Sequence, residues 1–153
     1  MSSAADDTAG YCYKSSEYGR YYHWDDKVLS SVCPDGWHVP DTTEWNTLID
    51  YAGGPAKAWV RLRTKDSWST GVIDDPLEYD PGSNDYGFSA YPAGYRYTSG
   101  YVYNNGVEAA FWTTTASKTS GIAYAMEMYY TMQKTEVVTR ETAMGYSIRC
   151  IKD

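Results

Sequence analysis

The sequence predicts an α+β domain: two helices near the N-terminus, then a mostly antiparallel, twisted β-sheet with long loops. Three observations carry this expectation: a capped amphipathic stripe after residue 40, a second helix opened by proline, and a run of strand and turn signals from residue 86 onward. At 153 residues and 42% hydrophobic content, the chain can bury one core and is short for two. Residues 1–10, small and acidic, read as a flexible N-terminal segment before a single domain over 11–153.

Between residues 11 and 24, aromatic and polar residues alternate enough for one or two short strands around a turn at Tyr18-Gly19-Arg20. A helical turn over 25–29 follows. The chain then enters Cys33-Pro34-Asp35-Gly36-Trp37-His38-Val39-Pro40, where two prolines fix φ on either side of an Asp-Gly turn pair. Asp41 suits a helix N-cap, with Glu44 three residues on to close a capping box. Trp45, Leu48, Ile49 and Ala52 then form one apolar stripe, and Gly53-Gly54 ends the helix. Pro55 starts the second helix, with Ala58, Trp59 and Leu62 on its inner face.

Residues 63–85 show no periodicity and carry Asp66, Asp74, Asp75, Glu78, Asp80 and Asp85 among Pro, Gly and Ser. Carboxylates on such a loop can hold calcium, a hard cation that takes oxygen ligands. The spacing matches no EF-hand, so the expectation is a solvated acidic loop and no cofactor, with calcium as the alternative. Strands are expected at 86–91, 95–97, 101–103, 111–115, 122–130, 135–140 and 146–151, with a turn at Asn104-Asn105-Gly106. Along the last of these, Tyr146, Ile148 and Cys150 share one face while Ser147 and Arg149 share the other. Alternation over 122–130 does not by itself say which face is inward.

Net charge is −7, from 13 Lys and Arg against 20 Asp and Glu, which repels phosphate backbones and argues against a nucleic-acid partner. No apolar run approaches the roughly 20 residues that cross a bilayer, so membrane insertion is not expected. The two histidines, His23 and His38, stand in no catalytic motif, and His38 is expected to pack and bond backbone. No Cys-x-x-Cys or Cys/His spacing suggests a metal. The expectation is a protein that is not an enzyme. Seventeen Tyr and six Trp against two Phe give rings with polar tips, suited either to strands or to a recognition surface.

The Cys33-Pro-Asp-Gly-Trp-His-Val-Pro stretch with Glu44-Trp45 is followed by Asp85-Tyr86-Gly87-Phe88-Ser89-Ala90, Pro92-Ala93-Gly94-Tyr95-Arg96, Phe111-Trp112-Thr113-Thr114 and Gly145-Tyr146-Ser147-Ile148-Arg149-Cys150. In that order, over residues from about 10 to 152, these motifs resemble the Fibrobacter succinogenes major paralogous domain. The resemblance implies a bacterial cell-surface or extracellular relative of the C-type-lectin-like fold, similar also to the variable proteins of diversity-generating retroelements. It implies a Cys33–Cys150 disulfide, which suits an oxidising compartment, with Cys12 left as a free thiol. It also places Met128 inside, and so Glu127 and Tyr129 outside.

The same resemblance directs attention to residues 118–145, which match the family loosely between two well-matched strands. A glycan or protein ligand is expected there, met by Trp112, Thr114, Glu127, Tyr129, Tyr130, Gln133, Lys134, Glu136, Thr139, Arg140 and Glu141. Alternatives are a structural or assembly domain without a ligand, a retroelement-diversified protein, and an oxidoreductase like the formylglycine-generating enzymes. The last requires active-site cysteines that neither Cys12 nor Cys150 matches.

Overall fold

A computed structural model describes residues 12–15 by backbone and residues 19–69 and 82–153 in full. The N-terminal segment 1–10, residue 11, the side chains of residues 12–15 with that of Cys12 among them, residues 16–18 and the acidic stretch 70–81 lie outside the described residues.

Among the described residues strands come first, as expected between residues 11 and 24. β1 (Cys12–Ser15) and β2 (Gly19–His23) pair antiparallel, Cys12 opposite Tyr22. A single turn, α1 (Asp26–Leu29), is capped by the Asp25 carboxylate, which accepts from the amides of Lys27 and Val28. β3 (Trp37–His38) precedes α2 (Thr42–Tyr51), where the expected capping box is complete: Asp41 Oδ1 accepts from the amides of Thr43 and Glu44, and Glu44 Oε2 accepts from the Asp41 amide. Gly53 and Gly54 take φ of 97° and 89°, a turn that side-chain-bearing residues resist, and α3 (Pro55–Leu62) begins at once.

Three strands form the central sheet: β6 (Glu108–Ala116), β7 (Ile122–Tyr129) and β8 (Lys134–Glu141), all antiparallel. Both faces of this sheet are covered. Trp45, Ile49, Ala52, Ala58, Trp59 and Leu62 from α2 and α3 pack on Ala109, Phe111, Met126 and Met128. Leu29, Val39 and Tyr146 pack on Ala110, Trp112, Ala123 and Ala125. Consecutive residues along β6 and β7 thus belong to different cores, as a period of two requires. Removing one large anchor such as Trp45, 2% exposed, is worth about 3–5 kcal/mol.

A second sheet takes the order β1–β2–β9–β4–β5, with β4 (Tyr95–Arg96), β5 (Val102–Tyr103) and β9 (Gly145–Tyr146), and β10 (Ile151–Lys152) pairs with β3. The Cys33–Cys150 disulfide is formed. The end of the chain thereby returns twice to its beginning: Tyr146 lies opposite Tyr22, and Ile151 opposite His38.

Several expectations are corrected. Residues 86–91 are not a strand: Gly87 and Ser89 have φ of 66° and 55°, Asn84 clasps Ser89 through both side-chain atoms, and only Ala90 bridges, to Arg63. The strand expected at 146–151 breaks after Tyr146, because Ser147 turns to bond Ala110 and Trp112 on β6. Arg149 does not point out. Its guanidinium lies over the rings of Phe88 and Phe111 at 4.9 and 5.8 Å, and Nη2 donates to the Ser89 carbonyl. His38 bonds side chains rather than backbone, Nε2 to Glu44 and Nδ1 to Asp153.

Candidate functional site

The turn at Asn104 builds one wall of a cavity. Asn104 takes φ of 56°, a conformation short polar side chains tolerate, and its carbonyl accepts from the amides of Val107 and Glu108. Its side-chain Nδ2 then donates to Glu108 Oε2 at 2.7 Å. Gly94 permits this approach: a Cβ there would stand 2.1 Å from the Tyr103 carbonyl oxygen and 2.6 Å from the Asn105 nitrogen. Only glycine lets β4 and the turn meet.

Glu108 opens β6 and Glu127 sits on β7, on one face of the sheet by their register: Glu108 is opposite Tyr129, and Glu127 opposite Ala110. Both are buried, at 5% and 6% exposure. With Tyr95, Asn104, Tyr129, Arg140, Met144 and Tyr146 they line a cavity of about 200 Å³. Arg140 holds Glu127 with Nε on Oε1 and Nη2 on Oε2, and the Tyr146 hydroxyl donates to the same Oε1 at 3.1 Å. No ion pair of this kind serves Glu108 among the described residues.

The electrostatics follow from that asymmetry. Burial, and then the charge of Glu127, push the Glu108 carboxyl up to about 7, against the Asn104 hydrogen bond and Arg140. Burial also raises Glu127, with the charge and bonds of Arg140 pulling the other way. Tyr95 and Tyr146 are raised, each first by burial and then by the carboxylates, so both phenols remain donors. The cavity therefore offers one paired carboxylate, one carboxyl that titrates near neutrality, an amide and aromatic walls.

Of the residues expected to meet a ligand, Glu127, Tyr129 and Arg140 line this cavity. Lys134 and Glu136, on the same face by register, pair with each other at 2.8 Å. The others lie elsewhere. Trp112 is a correction: it is wholly buried, stacked on Tyr146 at 4.5 Å, with its indole N–H donated to the Tyr22 carbonyl. Glu127, expected outside, is also a correction, because the second core covers the face that the family resemblance assigned to solvent. Thr114 lies at the other end of β6, where its amide bonds the Pro40 carbonyl. Tyr130 packs toward Trp59 on the helix side at 6.4 Å. Gln133 is an exposed turn residue with φ of 47°, and Thr139 and Glu141 alternate onto the face opposite Arg140. Tyr95, Asn104, Glu108, Met144 and Tyr146 were not anticipated as site residues. A carboxylate directly before the apolar run Ala109-Ala110-Phe111-Trp112 was the available signal, since such a run marks a strand buried on both faces.

Among the described residues no group of three or more His, Cys, Asp or Glu side chains could hold a metal ion, and no helix is long and apolar enough to cross a membrane. No curated protein and no solved structure matches the chain. The Fibrobacter succinogenes major domain matches residues 4–152, nearly the whole sequence. The chain belongs to the Fibrobacter succinogenes major domain family.

Proposed function

We propose that this domain is a non-enzymatic recognition module of a bacterial surface or secreted protein, with a C-type-lectin-like fold, and that it binds a glycan or protein ligand through the cavity around Glu108 and Glu127 and the neighbouring surface of 118–145. The observation that carries this reading is the convergence of two buried carboxylates, Asn104, Arg140 and the rings of Tyr95 and Tyr129 on one cavity. A pocket with aromatic walls and a few placed polar groups suits hydroxyl- or amine-bearing ligands, which stack on rings and bond to carboxylates. Binding is favoured over catalysis because both oxygens of Glu127 are engaged by Arg140, so one mobile proton remains where glycoside hydrolysis uses two working carboxyl groups. The disulfide is compatible with an extracellular setting.

The test is a glycan array together with pull-down from bacterial cell surfaces, run with the wild type and with Tyr129→Ala and Asn104→Ala. Loss of a wild-type signal in both variants, with unchanged melting temperature, supports the reading. A signal that survives both substitutions moves the site elsewhere. A wild type that captures nothing in either format leaves the structural or assembly role.

A further inference from the structure

A second cavity, of about 360 Å³, lies between β2 and the segment joining β9 to β10, and shares no lining residue with the Glu108 cavity. Its wall carries two arginines, Arg20 and Arg149, the phenols Tyr22 and Tyr91, and, among the described residues, no Asp or Glu. That is unexpected in a chain with 20 acidic residues against 13 basic ones. Elsewhere Arg61 pairs with Asp85, and Arg140 with Glu127. Among the described residues neither Arg20 nor Arg149 has a carboxylate partner.

Arg149 is also immobilised. Its guanidinium lies over the rings of Phe88 and Phe111, which meet edge to face, and one N–H is donated to the Ser89 carbonyl at 3.0 Å. A guanidinium has five N–H donors, so this one holds a fixed plane with most of its donors uncommitted. Burial lowers its pKa, the mark of a cation that has lost water without gaining an anion. Arg149 also borders a groove along α2, but the wall of that groove carries Glu44, which disfavours an anion there. The cavity with Arg20 is the electropositive side.

We infer that this second cavity is an oxyanion-binding subsite, in which Arg149 and Arg20 hold either a carboxylate borne on a sugar-sized ring or free phosphate. The guanidinium fork matches the paired oxygens of both groups, and Phe88 and Phe111 keep it from turning away.

The full chain, isotope-labelled, is titrated at low ionic strength with glucuronate, glucose and inorganic phosphate and followed by amide chemical shifts. Glucuronate or phosphate is expected to move the signals of Tyr22, Ser147 and Arg149, and glucose is not. Arg20→Gln and Arg149→Gln should each weaken binding about tenfold, the size of one charge-assisted hydrogen bond. Response to glucuronate alone assigns a ring-borne carboxylate, and response to phosphate alone assigns the free ion. No response to either anion, an equal response to glucose, or shifts that survive both substitutions overturns the assignment. Arg20 touches neither aromatic ring, so Arg20→Gln keeps the test open if Arg149→Gln fails to fold.

Discussion

Arg140 grips Glu127 with both limbs of its guanidinium, Nε to Oε1 at 2.7 Å and Nη2 to Oε2 at 2.5 Å, reaching along the sheet from a position opposite Ala123. Glu127 is buried while Arg140 is half in water, so removing the arginine strands a carboxylate inside the protein. Arg140→Ala should cost about 2 kcal/mol, less than for a fully buried pair because solvent already screens one partner. Urea denaturation measures this, and adding Glu127→Gln should recover part of the loss. Single and double variants with simply additive effects would show that the two groups do not interact.

Glu108 gives a pH dependence with a definite sign. Its folded value of about 7 lies above the ordinary 4.5, so the folded state holds the proton more tightly. Its contribution is complete at low pH, is lost as pH rises from about 4.5 to about 7, and is level above that. That interval corresponds to roughly 3 kcal/mol. Glu108→Gln, which keeps the neutral shape, should therefore match the wild type near pH 5 and exceed it near pH 8. A variant less stable than the wild type at the higher pH contradicts the shift.

His38 titrates in the same direction for a different reason. Its ring bonds Asp153 Oδ1 at 2.6 Å and Glu44 Oε1 at 2.8 Å, and these two bonds, Asp153 first, raise its pKa above 6.5. The stabilisation is present in full below 6.5 and disappears as pH climbs through the raised value. Nuclear magnetic resonance of the ring protons should give a midpoint above 6.5 that falls in Asp153→Asn. A midpoint at or below 6.5 in the wild type rules the contact out in solution.

The Cys33–Cys150 bridge spans 117 residues of sequence, which in the chain-entropy account restricts the unfolded state by about 4–5 kcal/mol. Reduction, or Cys150→Ser, should lower the urea midpoint accordingly. Peptide mapping without reductant should recover Cys12 alkylated and the other two joined. A peptide linking Cys12 to either partner contradicts the pairing.

The helices were legible because their signals are local: a cap, a stripe and two glycines fall within fifteen or so residues of one another, and short-range hydrogen bonds fix the outcome. The cores of β6, β7 and β8 were legible as strands, but their sidedness was not. Alternation distinguishes a buried face from a wet one, and here both faces of β7 are covered, so Glu127 gave no periodic sign of burial. The break after Tyr146 depends on Ser147 finding the backbone of Ala110 and Trp112, a contact between distant parts of the chain. The cavity was half visible for the same reason. Glu127, Tyr129 and Arg140 come from the one segment singled out, whereas Tyr95, Asn104 and Glu108 arrive through the Gly94 turn.

The bridge has a mechanical consequence too. Tension applied to the two ends of the chain passes from Cys33 to Cys150 through a covalent bond, so the stretch between them, 117 positions of sequence separation, is shunted out of the load path. At about 3.5 Å per residue, some 400 Å of contour is withheld from extension. Under load the disulfide-bonded chain can yield its first strands, and with them the β2 wall of the second cavity, while the β6–β7–β8 sheet and the Glu108 cavity stay off the line of force until the sulfurs are reduced.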